Sequence, residues 1–307
     1  MIRDATLDDA PSASELLALV NPEFIMTPES ARHFMASMPP EAERRWWCDE
    51  RGGAIVGWAH GGRVTDTSEP DVAWLNLVVH PNFRASGIGS ALGDLVEEHV
   101  RSIGARRLLA WSRADDATVS FLRSRGFEQT GSSDVLVLDP RTVTAPETPR
   151  EVELRPFSDY EDDPSPVYQV DVVSMLDEPG DITYDDVPYD TWLERFWNQP
   201  VLDRDVSMVA LVDGRPATIT NLQTDRRRGR ATNNGTGTLP ELRGRGLATL
   251  AKRASLARAA GVGITAVYTG NDTTNAPMQA INRRLGYRPC GRMLNWRKEL
   301  ARSTSAA

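Results

Sequence analysis

The chain has 307 residues, 40% hydrophobic and 25% charged, the make-up of a soluble globular protein long enough for two independent cores. Its net charge of −8 argues against nonspecific nucleic-acid binding, which depends on cations neutralising phosphate. Cys48 and Cys290, one per half and in no Cys-x-x-Cys pattern, leave no disulfide framework and no cysteine zinc site; no metal is expected. With no leader-like apolar core at the start and no apolar run long enough to span a bilayer, no membrane and a cytoplasmic location are expected.

In chain order, Ile2–Thr6 reads as a strand, and Asp8 or Asp9 can cap a helix over 9–20. A second helix, 28–38, closes at Met38-Pro39-Pro40. The stretches 45–50 and 54–59 flank Arg51-Gly52-Gly53, a hairpin signal. A strand over 73–79 enters the Gly-rich stretch His80-Pro81-Asn82-Phe83-Arg84-Ala85-Ser86-Gly87-Ile88-Gly89-Ser90. The helix after it, 88–103, ends at Gly104, a natural stop. Then come a strand 107–111, a helix from Asp115-Asp116 to Gly126-Phe127, and a closing strand 135–138. Three prolines and no apolar periodicity mark 139–150 as linker.

The order then repeats. A strand over 152–156, a hairpin 207–212 and 216–220 around Asp213-Gly214, and a strand over 236–239 lead to a second Gly-rich stretch. This copy reads Thr238-Leu239-Pro240-Glu241-Leu242-Arg243-Gly244-Arg245-Gly246-Leu247-Ala248-Thr249. A helix 247–260, a strand 264–269 and a helix 275–285 ending at Gly286-Tyr287 complete the half. Gly53 to Gly214 is 161 positions, Arg84 to Arg243 is 159 and Gly126 to Gly286 is 160. One offset kept across three landmarks indicates an internal duplication of an α+β unit, with domains 1–140 and 151–307 joined by 141–150.

Each Gly-rich stretch lets backbone turn tightly into a helix start, where successive N–H groups lack partners and the helix dipole favours an anion such as a diphosphate. No Gly-x-Gly-x-x-Gly is present, and no Gly-Lys-Ser/Thr follows either copy, so neither is a dinucleotide fingerprint or a Walker loop.

Strand, Arg-x-x-Gly-x-Gly/Ala, helix, strand, helix, Gly-Phe/Tyr, found twice, resembles the GCN5-related N-acetyltransferase (GNAT) family, which has tandem members. The resemblance implies, in each half, a mixed and mostly antiparallel sheet with helices on both faces. It implies acetyl-CoA bound where strands 73–79 and 107–111, or 236–239 and 264–269, splay apart. Its diphosphate loop maps onto Arg84, Ala85, Ser86, Gly87, Ile88, Gly89 and Ser90, and onto Arg243, Gly244, Arg245, Gly246, Leu247, Ala248 and Thr249. The backbone of Leu77, Val78 and Val79, and of Thr238 and Leu239, would face the pantetheine and acetyl group. The acceptor is a primary amine of a small molecule or peptide, attacking the thioester directly; the chain would be a monomer or homodimer.

Many family members place a Tyr acid four residues before the terminal Gly-Phe glycine. Here that position holds Leu122 and Asn282, so the sequence names no catalytic acid. A CoA-binding module without turnover is therefore the rival reading. Asn271 and Asn275, ahead of the last helix, match where the family often contacts the CoA arm; Asn275 also reads as an N-cap. The more basic second loop, with Asn271, Asn275 and Asn282, favours the second half as the catalytic one. Asp225 reads as a base or as loop surface, and Glu241 as solvated. Tyr287, Phe127, Trp46, Trp47 and Trp58 read as packing. Arg226 to Arg230 reads as a solvated hairpin tip. Between Asp159 and Asp190 stand eleven acids and no Lys or Arg. The segment reads equally as a solvated acidic loop that aids solubility or, as the resemblance implies for this place in the fold, as a wall of the acceptor pocket, where it would favour a cationic amine.

Overall fold

The computed structural model of the chain describes residues 1–65, 67–69, 71–175, 187–272 and 274–300. It forms two compact units, whose described residues are 1–132 with 292–300, and 133–175 with 187–291.

The first unit contains β1 (Ile2–Asp4), α1 (Ala10–Val20), α2 (Pro28–Ala36), β2 (Arg45–Arg51), β3 (Ala54–Arg63), β4 (Val72–Val79), α3 (Ile88–Ser102), β5 (Arg107–Arg113) and α4 (Asp116–Ser124). The strand β6 (Glu128–Leu138) leads into the second unit. There follow β7 (Val152–Pro156), α5 (Ser165–Met175), α6 (Tyr189–Trp192), β8 (Met208–Val212), β9 (Arg215–Asp225), β10 (Arg230–Thr238), α7 (Leu247–Gly261), β11 (Ala266–Asp272), α8 (Ala276–Leu285) and β12 (Arg288–Glu299).

The hairpins form where the turn residues demand them. Gly52 and Gly53 at φ 58° and 79°, and Asp213 and Gly214 at φ 49° and 79°, supply the two left-handed positions of a twist-matched two-residue turn. In the first unit the sheet runs β1-β2-β3-β4-β5-β12, antiparallel except for the parallel β4–β5 pair. In the second it runs β7-β8-β9-β10-β11-β6, again with one parallel pair, β10–β11. The α+β expectation of two like units holds.

The first unit ends at Ser132, ahead of the expected boundary, and takes in the chain again from Arg292. Val135 to Leu138, expected to close the first sheet, pair with β11, and Met293 to Glu299 of β12 pair with β5. Each half thus completes the other's sheet, which turn and periodicity signals cannot reveal because strand pairing is non-local. In the first unit Trp296 is fully buried, its indole N–H donating to Ser112 Oγ at 2.9 Å, and Lys298 Nζ lies 2.7 Å from a buried Glu97 carboxylate. Neither β12 nor helices α5 and α6 were anticipated from sequence.

Both faces of the first sheet are covered. On one, Ile88, Leu92, Val96 and Val100, at helical spacing along α3, bury against Trp47, Ala59, Leu75 and Leu108; each such side chain stabilises by roughly 1.5–3 kcal/mol. The helix sits close because β3 is bare beneath it: a Cβ on Gly61 would lie 2.4 Å from Val96 Cγ1. On the other face, Ala13, Leu16 and Leu17 of α1 pack on Cys48, Trp58 and Val78.

Candidate functional site

In the first unit β4 and β5 pair from Val72/Arg107 to Leu75/Ala110 and then part. Each stays bound to its outer neighbour, β4 to β3 as far as Val79 and β5 to β12 as far as Arg113. The divergence opens a cavity of about 320 Å³. Of the residues picked out from sequence, Leu77, Val78, Val79, Arg84, Ala85, Gly87, Gly89 and Ser90 line it. Two do not. Ile88 is buried in the core under α3, and Ser86 is exposed, its hydroxyl donating to the Phe83 carbonyl.

Gly87, at φ 85°, caps α3 in a conformation that L side chains rarely adopt. Ala91 is the first residue of α3 whose N–H finds a backbone acceptor, the Gly87 carbonyl at 3.0 Å. Among the described residues the amides of Ile88, Gly89 and Ser90 have none, so three donors point outward at the positive end of the helix. Phe121 and Leu122 of α4, with Leu75 and Ala110, make the cavity apolar on this side.

The second unit repeats the backbone with different side chains at the corresponding positions. β10 and β11 pair from Arg230/Ala266 to Asn233/Thr269, and β10 carries a bulge between Asn233 and Gly235 before they part. Gly244 and Gly246, at φ 77° and 79°, shape the loop. Here the Thr249 amide turns back to the Gly246 carbonyl at 3.0 Å, so it is already spent, and the outward donors are Leu247 and Ala248. Arg243 Nε donates to the Thr238 carbonyl at 3.1 Å; Arg245 is exposed; the Leu247 side chain is buried. Thr238 and Thr236 are hydrogen-bonded to Thr218 and Thr220 on β9, at 2.9 and 2.8 Å, and half-buried Leu239 packs on the Phe157–Trp192 cluster. At the place of Val78 stands Gly237, and Ser174 of α5 fills the space its Cβ would take.

Lys252 of α7, at the position of Gly93 in the first unit, is 2% exposed and donates to Asn233 Oδ1 at 2.6 Å. Its Nζ lies 5.6 Å from the Tyr287 ring centroid, and burial alone pushes its pKa down to about 7. Tyr287, counterpart of Phe127, is buried, and burial raises its pKa. These two aromatics pack, as the sequence indicated.

The remaining candidates resolve one by one. Asn275 Oδ1 accepts from the Met278 amide at 3.2 Å and caps α8; Asn282 is fully buried; Asn271 lies in β11 with its side chain outside the described part. Asp225 is not loop surface: it is 5% exposed, accepts from the Arg228 amide and pairs with that guanidinium at 2.5 Å. That occupies it and removes it as a free base. The hairpin-tip arginines are likewise paired, Arg226 with Asp203 at 2.7 Å. Glu241 is exposed. Of the eleven acids, Asp177, Glu178, Asp181, Asp185 and Asp186 lie outside the described residues, and Asp171 is buried as acceptor of the Trp192 indole N–H. His60, in the first unit, is held neutral at pH 7 by burial. Among the described residues no group of three metal-binding side chains occurs, and no helix is long and apolar enough to cross a membrane.

A glycine turn feeding a helix, beside two parallel strands that splay over an apolar floor, places outward amides next to an apolar cleft. The chain belongs to the acetyltransferase (GNAT) family, whose profile matches twice, at residues 13–127 and 170–287. Solved structures share the fold. A tandem GNAT protein from the clavulanic acid biosynthesis pathway superposes with a TM-score of 0.72 at 20% identity, covering 97% of this chain and 98% of its own. A GCN5-related N-acetyltransferase from Sphaerobacter thermophilus gives 0.70 at 19% identity, covering 97% and 95%. One from Kribbella flavida gives 0.54 at 18% identity, covering 80% and 88%. No curated protein matches the sequence.

Proposed function

We propose that the protein transfers an acetyl group from acetyl-CoA to a primary amine in a ternary complex, with the carrier held in the cleft of the first unit. One observation carries this: the cavity in which three unpartnered amides of α3, the open edge of β4 and an apolar floor come together. These fit the carrier part by part. The amides of Ile88, Gly89 and Ser90 suit a diphosphate, and beside them stands the half-exposed Arg84 guanidinium, 3.8 Å from the Asp115 carboxylate. The unpaired edge of β4 beyond Leu75 suits the amides of a pantetheine arm, and Leu77, Val79 and Phe121 suit its methylenes. Bound there, acetyl-CoA supplies the thioester that the amine attacks. The chain's part is to align the two reactants and exclude water, and a β4 amide serves the developing oxyanion.

The turn of the second unit offers two outward amides, over a lining of hydroxyls and amides and under the cover of Ser174. We therefore propose the first half as the catalytic one, where the sequence favours the second. Leu122, apolar at the position of the family's acid, favours a second reading, a CoA-binding protein without turnover.

Isothermal titration of acetyl-CoA into wild type, Gly87→Glu and Gly246→Glu tests the assignment. We expect binding to vanish in Gly87→Glu and persist in Gly246→Glu; the reverse result moves the site to the second unit. Acetyl transfer across an amine panel separates enzyme from binding module.

A further inference from the structure

The cleft of the first unit opens on both faces of its sheet. Strand alternation sends Leu108, Ala110 and Ser112 of β5 toward α3, where the first two join the core and the third holds the Trp296 indole. Leu109, Trp111 and Arg113 therefore face the α1 side, where the cavity is lined by Val20, Asn21 and Val78. The carrier loop and Phe121 lie on the α3 side. An acceptor thus enters past Trp111.

Trp111 is 55% exposed, although it lines the cavity. It is not loose: the Trp74 ring lies against it, 4.8 Å between centroids and tilted by 59°. That is its one ring contact among the described residues, and no cation covers it. Arg113, two residues along, is held aside by Glu23 at 2.5 Å. A tryptophan fixed from behind and open in front is a stacking surface with little side-chain entropy left to lose. Glu23 and Arg113 cancel each other at the mouth, so charge does not choose the acceptor there.

We infer that the first unit accepts a primary amine carried on an aromatic ring, the ring resting on Trp111 while the amine reaches through the splay of β4 and β5. This rests on the acyl-transfer reading of the same cleft. No covalent role falls to Trp111; it sets which amines bind.

The test compares 2-phenylethylamine with 2-cyclohexylethylamine, alike in size but differing in the π face. Each is titrated calorimetrically into wild type, Trp111→Leu and Trp111→Ala, with and without saturating CoA. Wild type should bind the aryl amine several-fold to about tenfold tighter than the saturated one, as aromatic pairing adds to area burial. Both variants should bind the two amines equally while their CoA affinity stays that of wild type. Equal binding in wild type, or a preference that survives in both variants, overturns the inference. Loss of acetyl-CoA binding or of acetyl transfer in wild type sinks the acyl-transfer reading instead, and the amine preference is still read on the free protein.

Discussion

Replacing Lys252 by methionine isolates the energetic consequence of a buried amine, because the two side chains have similar shape and only one can be charged. The amine titrates at 10.5 when unfolded and at about 7 where it sits, with no carboxylate paired to it among the described residues. Between those values the native state binds fewer protons than the unfolded one. Stability therefore rises with pH across that window and is lowest below it. Each unit of separation is worth about 1.36 kcal/mol, so the whole shift corresponds to at most roughly 5 kcal/mol. Going from about pH 6 to about pH 9 should return ~2.5 kcal/mol of that to wild type and none of it to Lys252→Met. Asn233 Oδ1 keeps the Thr236 hydroxyl as donor at 3.1 Å in the variant, so the loss of the ammonium leaves no orphaned acceptor. Urea unfolding followed by circular dichroism at matched ionic strength reads the difference, a relative midpoint shift of about 1 M across the range. Parallel curves for the two proteins would show that Lys252 keeps its proton in the fold, and the desolvation argument would be refuted.

Two further outcomes follow from packing. Gly61→Val puts branched carbon where Val96 Cγ1 already lies 2.4 Å from a Cβ, so α3 must lift off β3; we expect a loss of about 1–3 kcal/mol, seen as a lower melting temperature. Cys48 is fully buried, and burial pushes its thiol up to about 11, whereas Cys290 is exposed. Ellman's reagent should therefore modify one thiol in the native protein and the second only with denaturant; two fast thiols would mean the α1 face opens readily.

The elements legible in the sequence are those whose signal is local. The hairpin at Gly52-Gly53 is set by two left-handed residues, and α3 by Gly87 and the spacing of Ile88, Leu92, Val96 and Val100. Both Gly-rich turns were visible because they combine those cues. Most of the cleft in the first unit was legible too, since the loop and β4 are contiguous in the chain. Trp111 is legible as a strand residue but not as a surface for a ligand, because nothing in its neighbours says which face of β5 stays open. Asp225 was given the wrong surroundings for a related reason: its partner Arg228 is close in sequence, but its burial comes from distant strands.

By itself, then, the sequence determined the duplication, the kind of fold and two glycine turns that open helices, since glycine conformations, turn residues and helical periodicity act over a few neighbours. Tertiary structure decided which strands pair, sending Val135 to Leu138 to one sheet and Met293 to Glu299 to the other, because pairing matches segments up to about two hundred residues apart. It also decided that the cleft of the first unit is apolar on its α3 side, while threonine hydroxyls bonded to β9 and a buried amine stand at the corresponding places in the second. That difference arises where side chains from several elements converge, and no single stretch of the chain records it.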